Sequence, residues 1–299
     1  MSVDMLRMTG NSVVADELEL STLNSGLGMM SPSGRWVTYN TPMSGVRKSS
    51  SIDTSSADAF PGAWELNCCA VNGPRALGMI GDWALMRDEA GIVLNYYGPC
   101  QMTARLGTNQ IALRQTTSYP RTGKIELHVR PRRPASFRLR LRIPYWSALT
   151  RVSVNGRSAG KVEPGRYLSI DRKWKAGDVV RITLDMSLHF WAGARECKGK
   201  TAVYRGPILL TYDPRFNEES PDGPPQLDAR TMKGRVVRSR SWLQPWVLCE
   251  YAGAEGAKVR LCDYASAGAA GDPYQSWLPL RNAPKAPFSR QNPLRSSRP

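Results

Sequence analysis

The sequence predicts a mixed α and β chain, helical over its first ninety residues and built from short strands thereafter. Two observations carry this reading. Up to about residue 90 apolar residues recur at helical spacing, whereas beyond it they alternate with polar residues at period two. A chain of 299 residues, 41% apolar and 22% charged, can also bury a sizeable core and divides into about two domains.

The elements follow in order. Leu6 to Asn24 is rich in Leu, Val, Ala and Glu and predicts helix; Pro74 to Asp88 places Leu77, Ile80 and Ala84 at i, i+3 and i+7. Gly73-Pro74 suits a helix entry, because proline at the first helical position gives up no needed hydrogen bond and Asn72 or Gly73 can cap. Beyond residue 90, IELHV (125–129) and FRLRLRI (137–143) alternate strictly. VSVNGRS (152–158) holds an Asn155-Gly156 pair suited to a type I′ hairpin, and RYLSI (166–170) and VVRITL (179–184) follow closely, a spacing that predicts a β-sandwich. A third section continues with TAVYRGPILLTY, WVLCEY, KVRLCDY and YQSWLPL, all short strand-like runs. The predicted sections are therefore 1–90, 91–187, 188–280 and a basic, proline-bearing tail at 281–299 whose composition predicts disorder. No repeat of fixed period is visible.

Composition excludes several classes. No run of 18 apolar residues occurs, and the N-terminal stretch carries acids where a signal peptide would carry a basic head. As given, the chain reads as cytoplasmic with no membrane partner, while an export signal upstream of Met1 stays open. The formal charge of +16 raises nucleic acid as a partner. The basic residues are spread through strands such as FRLRLRI, on its outward positions, so a solvated face and no nucleic-acid partner is the expectation.

Six cysteines, at 68, 69, 100, 197, 249 and 262, are too sparse for a disulfide scaffold and leave the redox compartment undecided. Cys68 and Cys69 stand side by side just upstream of the predicted helix entry. The positive end of a helix aimed at them would favour thiolate, which is both a nucleophile and a zinc ligand, and two neighbouring thiolates can share one metal. Two small buried hydrophobes are the alternative, since free cysteine is among the most buried residue types. His128 is expected at the surface and His189 beside aromatics, neither with a spaced metal-binding partner; the other four cysteines are expected to be structural.

The order TGN…ADELELSTLNSGLG…SGRWVTYNTPM…NCCAVNGPRALG, followed by RIPYWS…VSVNG and YRGPILLTY, resembles the C-terminal half of glycoside hydrolase family 127, the β-L-arabinofuranosidase family, from about residue 5 to about residue 280. The resemblance implies the C-terminal remnant of an (α/α)6 barrel in residues 1–90, then two β-sandwich sections. It also implies Cys68 as catalytic nucleophile and zinc ligand and Cys69 as zinc ligand, in retaining hydrolysis of a terminal furanoside. Tyr39, in YNTPM, is the position similar to a substrate-pocket tyrosine, with a buried strand tyrosine as the alternative.

Two departures from the family pattern stand out. Ala70-Val71-Asn72 replaces the usual two prolines and Asn, and the family's remaining zinc ligands, a Glu and a Cys two apart, together with its acid/base glutamate, would fall before Met1. Glu65 is near enough in sequence to Cys68 to reach a metal or simply to be solvated. The implied chain is a truncated glycosidase, inactive by itself, whose open barrel face predicts oligomerisation. The alternative is a non-catalytic β-sandwich protein that binds carbohydrate or another chain through aromatic strand faces.

Overall fold

The computed structural model describes residues 1–34, 36–49, 68–218, 223–239, 245–253 and 256–283. Helices are few and lie near the N-terminus, and β-sheets, mostly antiparallel, make up the rest. In chain order, α1 (Ser2–Thr9) and α2 (Ser12–Ser21) run into a π-helical turn, Thr22–Gly26, and then β1 (Ser44–Gly45). Three short helices follow, α3 (Cys68–Asn72), α4 (Arg75–Gly78) and α5 (Ile80–Trp83). The next strands are β2 (Leu85–Arg87), β3 (Gly91–Leu94), β4 (Cys100–Leu106), β5 (Asn109–Thr117), β6 (Lys124–Pro131), β7 (Ala135–Ile143), β8 (Arg151–Val154), β9 (Arg157–Ser158), β10 (Arg166–Trp174) and β11 (Asp178–Thr183). The last are β12 (Leu188–Ala192), β13 (Thr201–Arg205), β14 (Ile208–Tyr212), β15 (Leu227–Asp228), β16 (Arg235–Val236), β17 (Leu248–Ala252), β18 (Lys258–Asp263), β19 (Tyr274–Gln275) and β20 (Leu280–Arg281). Among the described residues no helix is long and apolar enough to cross a membrane.

The described residues fall into two compact units that interleave along the chain. One takes Met1–Glu19 and Met79–Ser187. It holds a four-stranded sheet, β10-β7-β3-β2, and a six-stranded sheet, β4-β5-β6-β11-β8-β9. Strict alternation makes each strand one-sided, so Phe137, Leu139 and Leu141 of β7 and Ile111, Leu113, Leu127 and Val129 of β5 and β6 are buried. Each such side chain contributes roughly 1.5–3 kcal/mol. Asn155 (φ 50°) and Gly156 (φ 82°) both take positive φ between β8 and β9, as a type I′ turn requires. Val3, Leu6, Val14, Ala15 and Leu18 of the two helices pack with Trp83.

The other unit takes Leu20–Gly78 and residues from Leu188 on. Its eight-stranded sheet runs β1-β19-β14-β18-β17-β16, with β13 bridging β14 to β12, beside a parallel β15-β20 pair. Ala202, Leu209, Phe216, Leu248, Cys262 and Tyr264 lie in its core.

Three local expectations are corrected. The helix over Pro74–Asp88 is broken at Met79 into α4 and α5 and gives way to β2, because Gly78 weakens it just before the break and Leu85–Arg87 pairs with β3. Cys68 and Cys69 stand upstream of α4 as expected, but within a helical turn of their own, α3, where no helix was expected. Arg142 is not on a solvent face: it shares an outward side with Arg138 and Arg140, but at that end of β7 the sheet is covered by α2 and the side chain is fully buried. The tail beyond residue 283 and Glu65 lie outside the described residues.

Candidate functional site

The cysteine pair is held by packing against the chain that precedes it. In α3 the Gly73 N–H donates to the Cys69 carbonyl at 2.8 Å and Asn72 Nδ2 donates to the Cys68 carbonyl at 2.8 Å, which closes the single turn. Gly73 is needed because a Cβ there would sit 2.9 Å from Val37 Cγ1 and 3.0 Å from the Cys69 carbonyl oxygen. Pro74 then opens α4, accepting from the Leu77 N–H at 3.0 Å, and Ala76 rests against Gly26 of the π-helical turn. That turn is itself anchored: buried Asn24 donates to the Leu20 and Pro207 carbonyls and accepts from the Leu209 N–H. A π-helical turn of this kind often marks a functional region.

Cys68 is exposed and Cys69 half-buried, with their sulfurs 3.9 Å apart, so the pair is not the two buried hydrophobes that composition allowed. Two thiolates on one tetrahedral zinc, with Zn–S near 2.3 Å, stand about 3.8 Å apart. The donor set therefore fits half of such a site. Among the described residues no group of three or more His, Cys, Asp or Glu gathers around a common point, so no third ligand joins the pair there. None of the six cysteines forms a disulfide.

Tyr39 lies in a bend, not a strand, and is 55% exposed. The segment after it lines an open depression of about 640 Å³ bordered by Asn40, Thr41, Pro42, Val46 and Lys48. This wall is tied to the larger sheet by residues the sequence did not single out. Tyr264 and Tyr274 both donate their hydroxyls to the Pro42 carbonyl, at 2.8 and 2.7 Å, and the Arg47 guanidinium lies 4.9 and 5.0 Å from their ring centres. Arg47 also donates to the Ala265 and Tyr264 carbonyls. No spacing signals this clamp, since its members are more than 200 residues apart.

A second polar cluster sits in the other unit. Arg142 donates to Asp16 at 2.5 Å, to Glu19 at 2.6 Å and to the Asn95 carbonyl at 2.6 Å, all out of contact with solvent. Tyr97 donates to the Arg142 carbonyl, and Tyr167 to Asn95 Oδ1. Burial pushes Asp16 up to about 7 and Glu19 upward as well, while Arg142 opposes both shifts. The Tyr167 phenol is pushed up to about 12, and Tyr97 and Tyr119 also rise, by burial. With no opening to solvent, this cluster is a structural clasp between α2 and β7. Asp16 and Glu19, three apart on one face of α2, were its sequence signal.

His128 sits partly exposed beside Glu126 on an outward position of β6, and His189 stacks on Tyr204 at 5.3 Å.

Comparison with known proteins places these features in a wider setting. Residues 1–82 match the family model for the β-L-arabinofuranosidase GH127 catalytic domain, and residues 91–186 match that for the GH127 middle domain. Among solved structures the chain is similar to a glycoside hydrolase at 24% identity and TM-score 0.75, covering 92% of this chain and 50% of that one. It is similar to a GH127 β-arabinofuranosidase at 22% identity and TM-score 0.78, covering 94% and 48%. It is also similar to a GH127 β-L-arabinofuranosidase from Geobacillus stearothermophilus T6 at 20% identity and TM-score 0.74, again covering 94% and 48%. At these identities the likeness to the structures is one of fold. The chain spans about half the length of each. No curated protein matches it.

Proposed function

The chain belongs to the GH127 β-L-arabinofuranosidase family, and from that premise we propose that it carries the nucleophile side of a retaining glycosidase site, with Cys68 as the attacking thiolate and Cys69 beside it as a metal ligand. The observation that supports this is the 3.9 Å separation of the two sulfurs at an accessible turn. In this reading residues 1–90 are a portion of an (α/α)6 barrel, and 91–187 and 188–280 are β-sandwich domains.

The chemistry follows from the thiolate. Cys68 Sγ attacks the anomeric carbon of a terminal furanoside, the C–S bond forms as the bond to the leaving oxygen breaks, and that oxygen takes a proton from a general acid. Water then attacks the same carbon, giving its proton to the conjugate base of that acid as the C–S bond breaks and the thiolate is regenerated, and two inversions restore the configuration. α3 presents the sulfur, and Tyr39 with the clamped segment behind it walls the sugar. Zinc, when bound by Cys68 and Cys69, keeps the thiols deprotonated and makes the sulfur a better leaving group.

No third metal ligand gathers at the pair among the described residues, and the family resemblance assigns the acid and further ligands to preceding barrel segments. In this reading the 299 residues by themselves are expected to bind zinc more weakly than a four-ligand site and not to turn over substrate. The second reading is a non-catalytic β-sandwich protein that binds carbohydrate or another chain through its strand faces.

Zinc titration against a chelator, on the wild type, Cys68→Ser and Cys69→Ser, tests the pair: each variant is expected to bind about tenfold or more weakly. Equal binding by all three would overturn the metal assignment. An aryl β-L-arabinofuranoside assayed with the 299-residue chain and with a chain extended upstream separates the readings. Activity only in the extended chain, lost in Cys68→Ser, is the expected result; none in either favours the binding protein.

A further inference from the structure

The outer face of the six-stranded sheet is strongly and unevenly charged. Register places Arg114 opposite His128, Ala112 opposite Arg130, and Lys124 opposite Thr183, so these side chains share one face with Arg105, Arg151 and Arg181. All six basic residues other than His128 are exposed. The acid among them, Glu126, is already committed, accepting from Arg181 Nε at 2.9 Å and lying 3.0 Å from His128 Nε2. Arg105, Arg114, Lys124, Arg130 and Arg151 have no acidic partner among the described residues.

From this arrangement we infer that the face docks a linear carboxylated polysaccharide, a polyuronate. A β-sheet spaces its strands by about 4.8 Å and its diagonal neighbours, such as Arg114 and Arg130, by about 7–8 Å, a grid on which successive carboxylates of an extended chain can be met. A guanidinium fork grips a carboxylate through two parallel N–H donors. Between the cations stand Thr103, Gln110, Thr116, Ser153 and Thr183, which offer hydrogen bonds to sugar hydroxyls. The face carries no Phe, Trp or Tyr, so it lacks the stacking platform that single-stranded nucleic acid uses. Charge complementarity and hydroxyl recognition together favour the acidic glycan. The inference goes beyond the proposed hydrolysis and does not depend on Cys68.

The test is retention of the 299-residue chain on immobilised polygalacturonate, with neutral arabinan and duplex DNA at matched salt as comparisons. The expected result is salt-sensitive binding to polygalacturonate, weaker binding to DNA and none to arabinan. Arg114→Glu with Arg130→Glu should weaken Kd by about tenfold or more. Arg230→Glu with Lys233→Glu, the same charge change at exposed sites in the other unit, should leave it unchanged. Circular dichroism melting establishes that both double variants are folded. Equal loss in the two double variants would show a net-charge effect and overturn the site; DNA binding as tight as polygalacturonate, or retention on arabinan, would overturn the ligand class.

Discussion

At position 142 one guanidinium meets two carboxylates, all three side chains buried from solvent, and this sets a pH dependence. An unfolded aspartate titrates near pH 4, whereas burial holds folded Asp16 at about 7 and raises Glu19 too. Between these values the folded chain binds more protons than the unfolded one, so this contribution to stability is complete below about pH 4 and is lost as the pH rises through about 7. Asp88, Asp178 and Glu250 are shifted the other way, downward, through hydrogen bonds to their carboxylates. The melting temperature is expected to fall between pH 5 and 8, and Asp16→Asn to flatten that slope; an unchanged slope in the variant would remove Asp16 as the cause. Gly73 gives a second test. Gly73→Ala should cost about 1–3 kcal/mol, read by denaturant unfolding, because Val37 or the Cys69 carbonyl must yield to the new methyl.

The π-helical turn Thr22–Gly26 shows how an element can be fixed by one side chain. Asn24 satisfies two carbonyls and one N–H, two of the three partners lying on the Pro207–Leu209 stretch. Asn24→Ala strands these buried groups and is expected to cost about 3 kcal/mol, with faster hydrogen exchange at the Leu209 amide; wild-type exchange there would refute the anchoring role. The helix-forming composition of Leu6–Asn24 and the alternation in β6 and β7 were legible because each is a property of neighbouring residues, although Gly10 divides the helical stretch between α1 and α2. The replacement of the helix by β2 after α5 was not, since the edge that captures Leu85–Arg87 belongs to β3 and is not encoded in the helical period.

At the scale of the molecule, the compact unit that holds β2 to β11 also takes residues 1–19, so its stability depends on chain from both sides of residues 20–78. A fragment of residues 79–187 loses Asp16 and Glu19 together with the helices that cover Arg142 and pack on Trp83, and is expected to melt at a lower temperature than the same residues in the full chain. Adding a synthetic 1–19 peptide should raise the fragment's melting temperature in a saturable way. A fragment that melts identically with and without the peptide would show that the clasp contributes nothing to the unit.

The sequence by itself determined the α-to-β change of character near residue 90, the turn at Asn155-Gly156 and the family, because local periodicity, turn chemistry and the NCCAVNG stretch are written in neighbouring residues. Tertiary structure alone decided which of three alternating arginines in β7 is buried, and that Tyr264 and Tyr274 hold Pro42. The physical reason is the same in both cases. Whether an outward side chain meets water or another element depends on what packs over it, and a period of two or 3.6 carries no information about segments more than 100 residues away.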